Sequence, residues 1–366
     1  QEFAVRLIGR TIFCWFLKNK KSDSGVPLIP EEWLSSNMVA SVNNDQHNYY
    51  HSILEKLFFL VLNKKHEDRK PYMLPNNHEF VPFLNGGLFE AQDDDFFPKD
   101  SKGIHSQNFA LNIPNQWFSD FFETLEQYNF TIDENDPNDA EVGVDPEMLG
   151  RIFENLLEDN KDKGAFYTPK EIVQYMCRES LIAYLQTDMR EEDKECIRQF
   201  VTTHDASQLG ELKEYIDQKL YDVKICDPAI GSGAFPMGLL RELFFCRSAI
   251  EPNIVENAAN IKRHIIQNNI YGVDIERGAV DIARLRFWLS LIVDEKSPEA
   301  LPNLDFKIMQ GNSLLEQYKG VDLSTMTEKK IGAGESLTFF DSMLDVYRKN
   351  LRDKLTEYYA CPEHDK

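Results

Sequence analysis

The stretch from Val223 to Leu240, Val-Lys-Ile-Cys-Asp-Pro-Ala-Ile-Gly-Ser-Gly-Ala-Phe-Pro-Met-Gly-Leu-Leu, decides the fold. Val223 to Cys226 is apolar and β-branched, with the length of a buried strand. Asp227 and Pro228 end it. Gly231-Ser232-Gly233 then predicts a tight loop in which side chains would block a ligand's approach. Phe235 to Phe245 follows as an apolar helix. Strand, glycine loop and helix in this order put free backbone N–H groups and a helix N-terminus at the carboxyl end of a strand. Open α/β sheets bind ligands there.

The missing residues narrow the ligand. A dinucleotide fingerprint needs a third glycine where Pro236 stands, and an acid about 20 residues on. The nearest candidate, Asp274, lies about 40 residues beyond Gly233. No Gly-Lys-Ser/Thr phosphate loop occurs, and Ser232 is not in a Gly-x-Ser-x-Gly elbow. A nicotinamide oxidoreductase is therefore disfavoured. The string Asp227-Pro228-Ala229-x-Gly231-Ser232-Gly233-x-Phe235 resembles motif I of the amino-methyltransferases, whose ligand is S-adenosylmethionine.

The resemblance extends in both directions. Upstream, Phe166-Tyr167-Thr168-Pro169 precedes a helix for which Thr168 reads as N-cap, Pro169 as first helical residue and Glu171 as the capping-box partner. This string resembles motif X of the γ-class adenine methyltransferases, which covers the methionine end of the cofactor. Downstream, Asn269 to Asp274 reads as a second strand closed by an acid. One carboxylate can accept from both hydroxyls of a ribose, and Ile275 behind it could pack on adenine. Leu304 to Met309 reads as a third strand. Asn312 and Ser313 beyond it resemble motif III, with Asn312 keeping an acceptor where the family has Asp.

Composition supplies the setting. The chain has 366 residues, net charge −21 and six cysteines with no Cys-x-x-Cys pair, which argues against structural zinc or a disulfide framework and points to a reducing cytoplasm. The acidic balance disfavours a general DNA-binding surface. No apolar run is long enough for a membrane span. His47 and His51 read as helix surface and Asp93-Asp94-Asp95 as a solvated loop, so no metal site is expected.

The acidic stretch Thr131 to Glu141 reads as a boundary between a helical domain, 1–143, and a cofactor-binding domain, 144–366. The expected class is α/β: a Rossmann-like methyltransferase sheet, incomplete, preceded by a mostly helical domain. In the resembling family an Asn/Asp/Ser-Pro-Pro-aromatic motif after the fourth strand orients the target amino group. No Pro-Pro pair occurs here, so no catalytic residue is assigned and the chain alone is expected to transfer no methyl group. The first residues lack a Met and read as mid-helix, so the chain reads as a fragment. It resembles part of a type IIG-like restriction–modification protein acting on double-stranded DNA when complete. With the fourth strand missing, the Val223–Cys226 strand would be an exposed edge, expected to self-associate or to take a surrogate cover from the tail. The oligomeric state stays open. The competing reading is a non-catalytic, cofactor-sensing or scaffold domain of a phage-defence complex.

Overall fold

A computed structural model describes residues 2–20, 27–42, 48–69, 81–84, 88–91, 95, 113–130, 143–144, 168–250, 258–294, 301–302, 304, 306–315, 317–318, 321–322 and 354. Contacts divide the chain into two compact units, Gln1–Gly311 and Asn312–Lys366. In the second, Gln317–Tyr318 pairs antiparallel with Val321–Asp322.

The first unit opens with α1 (Glu2–Asn19), whose apolar residues Phe13, Phe16 and Leu17 are buried. Lys18 in its last turn donates to the Leu34 carbonyl at 2.9 Å and lies 3.8 Å from the Trp15 ring centre. Pro30 precedes only a single 3-10 turn, Glu31–Trp33; the helix proper, α2 (Ser36–Ser41), starts where the Ser35 hydroxyl accepts from Met38 N–H. The chain winds helically again through Tyr50–Leu54 and Leu57–Leu62, with i→i+5 bonding. Phe118 and Phe122 of α3 (Asn115–Leu125) pack on Tyr49.

Asp95 departs from the solvated loop expected for its acidic run. Its carboxylate is buried and takes Arg10 Nη1 at 2.9 Å and Arg6 Nη2 at 3.3 Å, both from α1. Two arginines on successive turns of a buried helix need a counter-charge, and Asp95 provides it. Asp93, Asp94 and His47 lie outside the described residues. His51 pairs with Glu55 at 2.8 Å, and no group of three potential metal ligands occurs among the described residues.

The capping box predicted at Thr168 does not form. α4 runs Lys170–Gln186 with Pro169 as its N-cap, and no side chain caps it. Pro169 has ψ 143°, outside the helical region, and its carbonyl accepts from Ile172 and Val173. The start is one residue later than the Thr-Pro pattern suggests. The helical stretch beyond is broken twice. α5 (Glu191–Thr203) begins with three acids in its first turn, which suits the helix dipole, and ends on His204 in the left-handed region. α6 (Lys213–Asp222) then leads to the sheet.

The sheet has three parallel strands in the order β1 (Ile225–Asp227), β2 (Ile270–Asp274), β3 (Ile308–Gln310). Parallel neighbours need crossovers. These are α7 (Ala234–Ile250) with α8 (Ala258–His264) between β1 and β2, and α9 (Arg277–Asp294) between β2 and β3. The third strand is shorter than predicted: Phe306 and Lys307 are in a turn, and Lys307 and Ile308 N–H both donate to the Leu304 carbonyl. Nor is β1 buried as its apolar run suggests: Cys226 is exposed. Among the described residues β1 pairs on one side only, as an edge. α4 packs across α7, and α1 packs on α9. Residues 145–157 and 339–359 lie outside the described residues, apart from helical Lys354.

Candidate functional site

β1 and β2 run in register, Asp227 opposite Gly272, so their carboxyl ends bring Asp227 and Asp274 together. Both acids are half-buried. Asp227 Oδ1 accepts from Ala229 N–H at 3.0 Å. Asp274 Oδ2 accepts from Gly231 N–H at 2.8 Å, and its Oδ1 accepts from Glu276 N–H at 2.9 Å. Ile230 N–H donates to the Val273 carbonyl at 3.0 Å, and Gly233 N–H to the Ile230 carbonyl at 2.9 Å. The loop amides expected to be free are therefore spent inside the site. Ala229, Ile230, Gly231 and Gly233 all donate to the protein itself.

Glycine is required at two loop positions. Gly231 has φ 54° and Gly233 φ 90°, conformations that side chains resist. A Cβ on Gly233 would also sit 3.2 Å from Ala283 Cβ of α9. Buried Arg286 of α9 donates to the Ser232 carbonyl at 3.0 Å and holds the turn from below.

Burial pushes the Asp227 carboxyl above the usual range. The Ala229 N–H works against that, and the Asp274 charge adds to it. With its amides committed and two carboxylates at its mouth, the turn suits a ligand that donates hydrogen bonds or carries positive charge. It is poorly suited to pyrophosphate, which needs those amides free.

Around this pair, Pro228 and Ala229 are exposed, Ser232 and Gly233 buried, and Phe235 half-buried. Ile275 is 66% exposed directly after Asp274. Its carbonyl accepts from Gln310 Nε2 at 3.2 Å, while Gly311 N–H donates to the Asp274 carbonyl at 2.8 Å. Thr168 is half-buried and Pro169 exposed at the start of α4. Phe166 and Tyr167 lie outside the described residues. Asn312 and Ser313 are exposed in the second unit, where Asn312 Oδ1 accepts from Leu314 N–H at 2.9 Å.

Residues 201–329 match the family model for the DNA-methyltransferase domain of MmeI. The matched segment contains β1, the glycine turn, β2, α9 and β3. A Methanocaldococcus jannaschii protein, provisionally named a type II restriction enzyme and methyltransferase, is 30% identical over 369 residues, covering 90% of this chain. The chain spans 29% of that relative's length. The solved structure of the type IIL restriction–modification enzyme MmeI in complex with DNA shares the fold at TM-score 0.50 and 16% identity. It matches over 90% of this chain and 39% of its own. No helix among the described residues is long and apolar enough to cross a membrane.

Two supporting residues escaped the sequence reading. Arg286 lies in the apolar run Leu285–Leu289, and a charge inside such a run was the available signal. Glu242 of α7 is fully buried and accepts from Arg178 of α4 at 3.1 Å and His204 at 2.9 Å. Burial works to raise its pKa, but these two hydrogen bonds outweigh it and hold the carboxyl below the usual range. Glu242 thereby ties α4 to the helix that carries the glycine turn. Nothing local in its sequence names those partners.

Proposed function

We propose that this chain holds the S-adenosylmethionine-binding part of a DNA adenine-N6 methyltransferase, γ-class in motif order and Rossmann-like in its sheet, from a restriction–modification enzyme. The observation that carries this reading is the pair of half-buried carboxylates, Asp227 and Asp274, at the ends of neighbouring parallel strands over a turn whose amides are already used. Each Asp274 oxygen spends one acceptor position on the backbone and keeps another, which suits two ribose hydroxyls. Exposed Ile275 beside it offers an apolar face for adenine. Gly231 and Gly233 let the ligand approach the backbone. The cofactor supplies an activated methyl group on a positively charged sulfur, a charge that an acidic site favours.

The resemblance adds Phe166, Tyr167, Thr168 and Pro169 at the methionine end and Asn312 and Ser313 at the adenine end. These residues bind and orient. Orienting the target nitrogen is the task of an Asn-Pro-Pro-aromatic motif, which this sequence does not contain. Double-stranded DNA is the partner of the full-length protein, and the cytoplasm its compartment.

Calorimetric titration with S-adenosylhomocysteine tests the reading. Asp274→Ala removes a charged acceptor, and hydrogen bonds to charged groups contribute about 1.5–3 kcal/mol each. Affinity should fall about tenfold or more, with Asp274→Asn between the two. Equal affinity in wild type and Asp274→Ala would remove Asp274 from the site.

A further inference from the structure

The helix α9 has two working faces. Ala283 and Arg286 meet the glycine turn. The opposite face carries Arg277, Asp281, Arg284 and Trp288, one stripe at helical spacing. With Arg6 of α1 and Gln310 of β3, that stripe lines a cavity of about 250 Å³. Leu88 and Leu285 give it an apolar wall.

In a chain of net charge −21, the described residues that line this cavity include three arginines and a single carboxylate. Among the described residues, Arg10 and Asp95 join Arg6 from behind. Arg284 is fixed at the wall, with Nε and Nη2 donating to the Ile308 carbonyl at 3.0 and 2.6 Å.

Asp281 is the unexpected member. Among the described residues its carboxylate accepts no hydrogen bond and makes no ion pair. Burial pushes its pKa up, and Arg284, Arg277, Arg6 and Arg10 oppose the rise through space. A cationic lining alone would accept any small anion. A carboxylate among those cations repels an anion unless the anion brings a proton of its own.

We propose that the cavity between α1 and α9 binds a phosphate group that still carries a proton, as inorganic phosphate or a small phosphate monoester. The guanidinium groups face its oxygens, and its P–OH donates to Asp281. Arginine suits phosphate by charge and by the geometry of its fork. Sulfate and phosphodiesters carry the charge without the proton, so Asp281 selects against both, the DNA backbone included. The apolar wall leaves room for the organic part of a monoester. The site is independent of the cofactor reading and can stand or fall without it.

The test is calorimetry on the 366-residue chain near pH 5.5, below the second phosphate pKa of about 6, where phosphate and its monoesters hold a proton. The titrants are inorganic phosphate, glycerol phosphate, sulfate and dimethyl phosphate. Phosphate or glycerol phosphate should bind at least about tenfold more tightly than sulfate or dimethyl phosphate. Tighter binding of glycerol phosphate than of phosphate assigns the apolar wall to the ester group. Asp281→Asn should bring sulfate to parity with phosphate, and Arg277→Gln should weaken phosphate binding. If Asp281→Asn does not fold, the wild-type phosphate-to-sulfate ratio and Arg277→Gln still decide. Absence of phosphate and glycerol phosphate binding, equal sulfate binding in wild type, or no effect of Arg277→Gln would overturn the assignment.

Discussion

Asp274 and Asp95 each take two donors among the described residues, yet they serve opposite ends. The donors of Asp274 are backbone amides two and 43 residues away, one for each oxygen, and the carboxylate stays half-exposed. The described donors of Asp95 are two guanidinium groups that converge on one oxygen in a fully buried side chain. An acid tied by neutral amides keeps its charge and part of its acceptor capacity for a ligand. An acid buried between arginines is consumed as a counter-charge. Local partners and residual exposure, rather than the presence of an acid, separate a binding carboxylate from a structural one.

The largest expected effect breaks the structural member. Asp95→Ala leaves Arg6 and Arg10 buried without their carboxylate, a change that costs about 3–5 kcal/mol in comparable pairs. Urea unfolding should show that loss, while the folded fraction binds S-adenosylhomocysteine as wild type does. A loss below about 1 kcal/mol would place Asp95 among weak surface pairs.

That difference also explains what the sequence could reveal. The glycine turn was legible because Asp227-Pro228 and Gly231-Ser232-Gly233 act within a few residues: a strand stop and two positive-φ positions leave a local signature. The strand ending in Asp274 was legible through its apolar run and closing acid. The ion pair of Asp95 was not, since its partners lie 85 and 89 residues away and an acidic run ordinarily faces water. The cap at Thr168 was misread by one residue because Pro169 is permitted both as N-cap and at the first helical position. Its ψ of 143° makes it the N-cap. The acceptors of the loop amides, two carboxylates and two backbone carbonyls, leave no signature in the turn sequence itself.

A medium effect sharpens the binding side. Gly272 of β2 lies against Ile230 of the turn; a Cβ there would fall 2.2 Å from Ile230 Cδ1 and 3.0 Å from its Cγ1. Gly272→Ala must push Ile230 aside and should cost about 1–3 kcal/mol. Because Ile230 N–H also bonds Val273, ligand affinity should fall together with stability. Unchanged affinity in a destabilised protein would show that the turn does not need its packing against β2.

The smallest effect concerns pH. Folding raises the Asp227 pKa through burial, with the Asp274 charge adding to it. The folded chain thus holds this proton more tightly than the unfolded one. The associated stability is fully present below the ordinary carboxylate range and is lost as pH rises through the folded value. Asp227→Asn removes that loss, so its stability relative to wild type should grow between about pH 4 and about pH 8. Denaturant midpoints at those two values measure it. A relative stability that shrinks with rising pH would reverse the electrostatics assigned to the pair.

Amide hydrogen exchange with and without S-adenosylhomocysteine tests the central claim most directly. Added protection should concentrate in Ala229 to Phe235 and Asp274 to Glu276, the two segments that the Asp274 carboxylate joins. Protection that bypasses both segments, or that is undiminished in Asp274→Ala at a ligand concentration near the wild-type Kd, would contradict it.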